Sequence, residues 1–227
     1  VTSVADATKK ATCTVTVEAP KSIEVNGLKW AVGNLVADGE HGAKIGKSTD
    51  GGLFFQFGSL IGWSTTGDSP TIAVRPNGFN GKEGWTETGH IWQGTEGTVP
   101  FTATGSDDEK AGIGDPCRYY LKGTWRLPTK DEYVELFKNQ TELSSTSSPW
   151  KWENSSVTNT TSGLTFPVSG YRLHSNGSLL SVGTVSCYWS ASPNVADIGY
   201  SPSFSNSSVN PSDYNFRPLG LPVRCVK

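Results

Sequence analysis

The sequence predicts an α+β domain with a small antiparallel sheet, few helices and long ordered loops. Three observations predict it. Short runs of aromatic and β-branched residues are separated by glycine-rich turns. Stretches with the helical apolar period are scarce. One segment carries a complete helix start signal. The 227 residues include 26 glycines and 13 prolines but also eight tryptophans. Loops with that many aromatics have side chains to pack them down, whereas disordered segments are poor in such residues. A chain of this length can bury its own core.

The elements follow in order. Ala11-Thr12-Cys13-Thr14-Val15-Thr16-Val17 alternates small or polar residues with valines and stops at Glu18-Ala19-Pro20, the pattern of a strand ending in a linker. The pattern changes after this point, so the main domain is expected over 20–227, with 1–19 preceding it. Leu28-Lys29-Trp30-Ala31-Val32 and Leu53-Phe54-Phe55-Gln56-Phe57-Gly58 are aromatic strand candidates. From Trp63 to Gly114, glycine, proline and asparagine recur around Trp63, Trp85 and Trp92, which predicts loops held by their own rings. Thr129-Lys130-Asp131-Glu132 after Pro128 has the form of a capping box, in which hydroxyl and carboxylate satisfy exposed backbone donors; Tyr133, Leu136 and Phe137 then make an apolar stripe. The polar stretch 141–162 reads as a surface loop anchored by Trp150 and Trp152. Strand candidates follow at 164–168, 170–173, 179–182, 188–190 and 221–226.

Composition excludes several function classes. The formal charge is -2 and no window concentrates lysine or arginine, so nucleic acid is not an expected partner. No apolar run is long enough to span a bilayer, so no direct membrane insertion is expected. Val1-Thr2-Ser3-Val4 lacks the basic and apolar regions of a leader, so an exported form would already have lost one. Cysteines 13, 117, 187 and 225 form no CxxC pair and have no histidine at ligand spacing, which argues against zinc. The low-lysine, loop-rich composition suits an oxidising compartment, where four cysteines allow three pairings.

No catalytic constellation stands out. His41, His90 and His174 are isolated, and no GxSxG, HExxH or phosphate-loop pattern occurs. Asp131, Glu132 and Glu135 belong to a helix start, where carboxylates complement the dipole. Asp107-Asp108-Glu109, beside Lys110, reads as a solvated turn. No enzyme activity, cofactor or metal is expected.

Four ordered motifs carry a resemblance. They are Gly114-Asp115-Pro116-Cys117; Gly123-Thr124-Trp125-Arg126-Leu127-Pro128 continuing into the capping box and Tyr133; Tyr188-Trp189-Ser190-Ala191-Ser192; and the end Val223-Arg224-Cys225-Val226-Lys227. Together, over roughly 25–227, they resemble the bacterial major paralogous domain family, a branch of the C-type-lectin-like superfold. The resemblance implies that Trp125 and Trp189 fill the core and that Cys117 and Cys225 pair, leaving Cys13 in the preceding module and Cys187 as a buried thiol. Cys187 with Cys225 remains the alternative pair. The first 18 residues resemble the closing strands of a group 2 bacterial immunoglobulin-like repeat; an edge strand of the main domain is the other reading.

A narrower resemblance concerns the tail. Ser192-Pro193-Asn194-Val195-Ala196-Asp197, Ser205-Asn206-Ser207-Ser208-Val209-Asn210-Pro211-Ser212 and Asp213-Tyr214-Asn215-Phe216-Arg217 look like the variable region of proteins diversified by retroelements, which ends just before a terminal strand. Adenine-directed mutation of asparagine codons does not yield Glu, Gln, Lys, Met or Trp. Between Tyr188 and Val223 the chain has none of the first four, and Trp189 is its only tryptophan. A serine-rich loop in a protein without methionine would look the same.

The expectation is a non-catalytic binding domain on the bacterial cell surface, lipoprotein-anchored in its longer form, that recognises a protein or glycan on another cell, phage or host. Strand alternation and the resemblance place Asp197, Ile198, Tyr200, Ser201, Ser203, Asp213, Tyr214, Phe216 and Leu219 in the exposed ligand-binding set. Two other readings compete. One is a structural or tip subunit of a surface fibre. The other is a calcium-independent carbohydrate module stacking sugars on exposed tryptophans such as Trp150. Calcium-dependent lectin motifs are missing, since Trp152-Glu153-Asn154 and Ser192-Pro193-Asn194 only approximate them. The formylglycine-generating oxidases of the same superfold use closely spaced cysteines, and none occur here.

Overall fold

The computed structural model describes residues 21–86, 107–138, 140, 143 and 148–227. The immunoglobulin-like stub, Cys13, His90 and Trp92 lie outside them. In chain order the elements are β1 (Ser22–Val25), β2 (Leu28–Ala31), β3 (Leu35–Ala37), β4 (Ala43–Ile45), β5 (Gly62–Trp63), β6 (Ile72–Val74), α1 (Asp107–Lys110), α2 (Pro116–Leu121) and α3 (Lys130–Leu136). There follow β7 (Trp150–Glu153), β8 (Ser156–Asn159), β9 (Thr165–Pro167), β10 (Tyr171–Arg172), β11 (Leu179–Leu180), β12 (Val185–Cys187), β13 (Pro193–Val195), β14 (Ile198–Tyr200), β15 (Ser203–Ser205), β16 (Val209–Asn210) and β17 (Tyr214–Phe216). The strands form small antiparallel sheets: the hairpins β1-β2, β3-β4, β5-β6 and β10-β11, and the three-stranded sheets β7-β8-β9, β12-β15-β16 and β13-β14-β17.

The helix at Thr129 forms as its sequence dictates. Thr129 Oγ1 accepts from the Glu132 backbone N–H at 3.2 Å, and Glu132 Oε2 accepts from the Thr129 N–H at 2.8 Å. Tyr133, Leu136 and Phe137 are buried. A second helix, α2, was not anticipated, although its signal was present. Asp115 caps it by accepting from the Cys117 and Arg118 N–H groups, and Pro116 occupies the first helical position, where its missing donor costs nothing.

Several strand expectations are corrected. Residues 53–58 and 221–226 do not form ladders; they run extended and pair through isolated bridges, Phe55 with Leu221, and Trp30 and Arg126 with Val226. Such a segment changes partner every few residues, so no ladder accumulates. The strand expected at 188–190 sits three residues earlier, as β12. The polar loop 141–162 contains the β7-β8 hairpin, and the loop region 63–114 contains β5, β6 and α1. The acidic run at 107 begins α1 instead of a solvated turn, with Glu109 buried.

Among the described residues three clusters make the core. The first gathers Phe55, Phe57, Trp125, Trp189, Leu221 and Val223 around the Cys117–Cys225 disulfide, which leaves Cys187 as a buried free thiol. This is the pairing the resemblance implies. The second centres on Phe166, with Trp30, Tyr133, Phe137, Trp150, Tyr188 and Phe204 around it. Ring centroids there lie 5.2 Å (Phe166–Tyr188) and 5.4 Å (Phe166–Phe204) apart, the spacing at which tilted aromatic pairs attract. The third is Phe54, Ile61 and Trp63.

The C-terminal segment 221–226 ties these parts together. Its backbone bonds reach Phe55, Ala31, Trp189 and Arg126 within 2.8–3.2 Å. Arg224 is fully buried and donates to Ala31 O, Thr165 O and Asn34 Oδ1, its guanidinium stacked 4.7 Å over Phe166. Carbonyl acceptors and a ring face offset the cost of taking that cation out of water.

A candidate binding face on the C-terminal sheet

The β13-β14-β17 sheet has one packed side and one open side, and the register decides which residues go where. Ile198 stands opposite Phe216, Gly199 opposite Asn215, and Tyr200 opposite Tyr214. Residues opposite each other in an antiparallel pair share a face, and successive residues alternate. Ile198, Tyr200, Tyr214 and Phe216 therefore share the outer face. Val195 joins them, because a bulge in β13 sets it opposite Ile198. The outer face thus carries one row of Val195, Ile198 and Phe216 beside a second row of Tyr200 and Tyr214. Val195 is 54% exposed, Tyr214 55% and Phe216 58%. Ile198 and Tyr200 are half-buried.

The underside explains why this sheet is held in place. Gly199 lies against the Phe57 ring so closely that a Cβ there would meet Phe57 Cδ2 at 2.5 Å. Asn215 Nδ2 donates to Ser201 Oγ at 2.9 Å. Arg217, fully buried, has its guanidinium 5.0 Å from the Phe57 ring centroid and donates from Nη2 to Val195 O at 2.9 Å. Its backbone N–H bonds Asp197 O at 3.0 Å, closing the β13-β14 turn. Burial lowers the Arg217 pKa and Asp197 opposes the shift, but a guanidinium remains charged at neutral pH. The hairpin is thus pinned from below by a cation bound to its carbonyls.

The edges of the face carry charge. Asp197, at the β13-β14 turn, is exposed beside the Ile198–Phe216 row, and Asp213 precedes the Tyr214 end. Lys130, from the start of α3, places Nζ 4.5 Å over the Tyr200 ring. The His174 ring lies 6.3 Å from Phe216.

Of the nine residues expected in the exposed set, the structure brings Ile198, Tyr200, Tyr214 and Phe216 onto one face, with Asp197 and Asp213 at its ends. Two are corrected. Ser201 is fully buried, because it follows β14 into the interior and accepts the Asn215 bond. Leu219 is buried in the disulfide cluster. Ser203 is half-buried in β15, opposite Cys187 and Asn210, and belongs to a different sheet. Val195 and Lys130 were missed. The bulge shifts Val195 out of simple alternation, and no local signal links Lys130 to a sheet formed far along the chain.

Other candidates fare differently. Trp150 is 1% exposed, packed 4.4 Å from Phe137, so it offers no surface for a sugar. Among the described residues no group of three or more His, Cys, Asp or Glu is placed to hold a metal. The Cys187 thiol is pushed up to about 12, chiefly by burial and further by Asp213, against a hydrogen bond from Asn215. At neutral pH it is a protonated core residue and no nucleophile. No helix of the described residues is long and apolar enough to cross a membrane.

Comparison with protein families, curated proteins and solved structures found no match. The reading of this face rests on its own geometry.

Proposed function

We propose that this chain is a non-catalytic, surface-displayed binding domain of C-type-lectin-like organisation, and that the outer face of β13-β14-β17 is its ligand-binding surface. The observation that carries the reading is the contrast between the two sides of that sheet. Val195, Tyr214 and Phe216 stand in solvent, with Ile198 and Tyr200 half-buried beside them, on a sheet pinned from beneath by Gly199, Asn215 and Arg217. Exposed apolar residues clustered on a rigid base mark interaction sites more often than isolated ones do. Tyrosine and phenylalanine supply large contact area for little lost rotamer freedom, and a preformed sheet avoids an ordering cost at each encounter. Asp197 and Asp213 at the ends would set orientation more than affinity.

The ligand class is a protein or glycan displayed on another cell, phage or host, and the setting is the outside of a bacterial cell. The disulfide agrees with an oxidising compartment. The exposed positions lie in the segment whose composition resembles a retroelement-diversified region, so the side chains on this face would vary while Gly199 and Arg217 would not. A structural subunit of a surface fibre is the second reading, in which the same apolar face packs against the next subunit.

The double substitution Tyr214→Ala/Phe216→Ala tests the reading. Binding of the domain to its target cell or phage, read by flow cytometry, falls by about 100-fold or more, as for loss of central aromatic anchors. The melting temperature moves by no more than about 2 °C, since neither ring fills the core. Undiminished binding, or a drop in melting temperature of about 10 °C, defeats the proposal. Diversification is tested at the locus, where a template repeat beside a reverse transcriptase gene should differ from the tail-coding segment at adenines only.

A further inference from the structure

Sheets expose backbone as well as side chains, and the edges of this fold are treated unequally. Both edges of β13-β14-β17 are closed. On β13, Pro193 has no donor and Val195 O accepts from Arg217 Nη2 at 2.9 Å. On β17, the Tyr214 N–H donates to Asp213 Oδ1 and Phe216 O accepts from the Leu219 N–H, each at 3.0 Å. Sheets block their edges in this way because an open ladder is a template for another strand.

The β1 edge is left open. β1 pairs with β2 alone, and β2 turns its other side to the C-terminal segment, where Lys29 bonds Lys227 and Ala31 bonds Cys225. The Val32 N–H donates to Lys21 O at 3.1 Å, which sets the alternation: Lys21, Ile23 and Val25 bond toward β2, so the N–H and C=O of Ser22 and Glu24 point outward. None of those four groups has a hydrogen-bond partner among the described residues. The inner face of β1 carries Ile23 and Val25, half-buried against the Phe166 cluster beside Leu28. An added strand would therefore extend an apolar floor that already exists.

This edge is complementary to itself. In an antiparallel pairing about a two-fold axis that sets Ile23 opposite Ile23 of a second copy, Ser22 stands opposite Glu24 and Glu24 opposite Ser22. The four open groups of each copy then find partners in four hydrogen bonds. Like charges do not meet, since Glu24 faces Ser22 of the second copy and Lys29 of its own β2. The same register brings Lys21 of the second copy opposite Val25, on the inner face. There the β1-β2 turn and α3 enclose a cavity of about 220 Å³, lined by Val25, Leu28, Trp30 and Leu136 together with Glu132 and Glu135. It is smaller than small-ligand sites, which start at about 300 Å³, and suits one long side chain: apolar walls for a methylene stem, carboxylates for an ammonium. Asn26 Nδ2 donates to Glu135 O at 3.1 Å and ties the turn to α3, so the cavity is formed in advance. Glu132 is held by Arg126, whereas Glu135, bonded at 3.2 Å to exposed Lys138, stays accessible. We propose that two copies of this chain associate through their β1 edges into one continuous antiparallel sheet, independently of the β13-β14-β17 face. A four-residue edge buries less than the roughly 1,600 Å² of a stable complex, so the dimer is weak, with a Kd on the order of 100 μM.

Sedimentation velocity from about 10 μM to about 1 mM, a range that brackets this affinity, tests it on the Cys13→Ser protein, so that this thiol cannot link two chains. A monomer–dimer equilibrium is expected, and over the same range the Ser22 and Glu24 amide hydrogens become slower to exchange. Ser22→Pro removes an outward donor and none that β2 uses. It weakens association at least about tenfold and leaves the melting temperature within about 2 °C. Lys21→Glu, which sets a carboxylate against Glu135, weakens association about tenfold. Ile23→Cys gives disulfide-linked dimers on oxidation, since opposite residues of a non-bonded pair lie about 4.5 Å apart, within reach of the bridge. Tyr214→Ala/Phe216→Ala leaves association unchanged, so failure here is distinct from failure of the other face. A monomer at every concentration, exchange at Ser22 and Glu24 that ignores concentration, a dimer that folded Ser22→Pro retains in full, or one that Tyr214→Ala/Phe216→Ala dissolves would each overturn the proposal.

Discussion

Two stretches of the same C-terminal region are treated in opposite ways. Residues 221–226 are buried to the last side chain and bonded to four separate parts of the fold, whereas the β13-β14-β17 sheet, a few residues earlier, is packed on one side only. Both contain large apolar residues. What differs is the pairing: serial bridges surround the first on all sides, and a three-stranded ladder leaves one face of the second in water. The lesson is that composition does not decide burial here. The topology does, by giving one segment many neighbours and the other only a floor.

The largest way to break the contrast is to cut the staple of the buried segment. Cys117 and Cys225 close a separation of 108 residues. Replacing both with serine costs about 2–5 kcal/mol, by the constraint lost from the unfolded chain and by two hydroxyls left in an apolar cluster. Urea denaturation measures it, and a change below about 1 kcal/mol would mean the bond contributes little. The outer face is expected to keep its shape in whatever fraction remains folded.

The next largest effect attacks the floor. Gly199→Val places side-chain atoms inside the Phe57 ring's space, and Phe57 is fixed by Trp189 at 5.2 Å and Arg217 at 5.0 Å. Overpacking of this kind costs about 1–3 kcal/mol. Ligand recognition should fall with it although no exposed residue has changed. Wild-type melting and wild-type binding together would show that the sheet is not seated as described.

Much of this was legible in the sequence, for physical reasons that differ by residue. The capping box made α3 readable because its signal is local. Ile198, Tyr200, Tyr214 and Phe216 followed from the resemblance together with strand alternation, which holds only while a strand lasts. It failed at Ser201 and Leu219, which lie just past β14 and β17, and at Val195, which a bulge displaces. The segment 221–226 reads as a strand because nothing in six residues distinguishes one long ladder from a series of bridges. The disulfide came from the resemblance; spacing alone left three pairings. Arg172, Arg217 and Arg224 could not have been placed inside by composition, since arginine is ordinarily exposed. Each lies near a ring, Phe54, Phe57 and Phe166, and donates to backbone carbonyls, partners that only the folded chain assembles.

The smallest effect sharpens the contrast by pH. Arg126 pairs with Val226 through two backbone bonds of 2.9 Å, so whatever holds Arg126 steadies the buried segment and not the outer face. Its Nη1 donates to Glu132 Oε2 at 2.7 Å. Burial alone would raise the Glu132 pKa, but the bonds from Arg126 and Thr129 outweigh it and hold the carboxyl below its ordinary value. A carboxyl whose folded pKa is depressed adds stability that is present above its unfolded pKa, about 4.3, and is lost as pH falls through the lower folded value. Glu132→Gln keeps the cap geometry but removes the charge, so it should cost about 1 kcal/mol at pH 7. The two proteins should converge in stability once the pH lies below the folded pKa, where both side chains are neutral. Urea titrations across that range decide it: a difference that persists unchanged into acid would assign the cost to shape instead of charge.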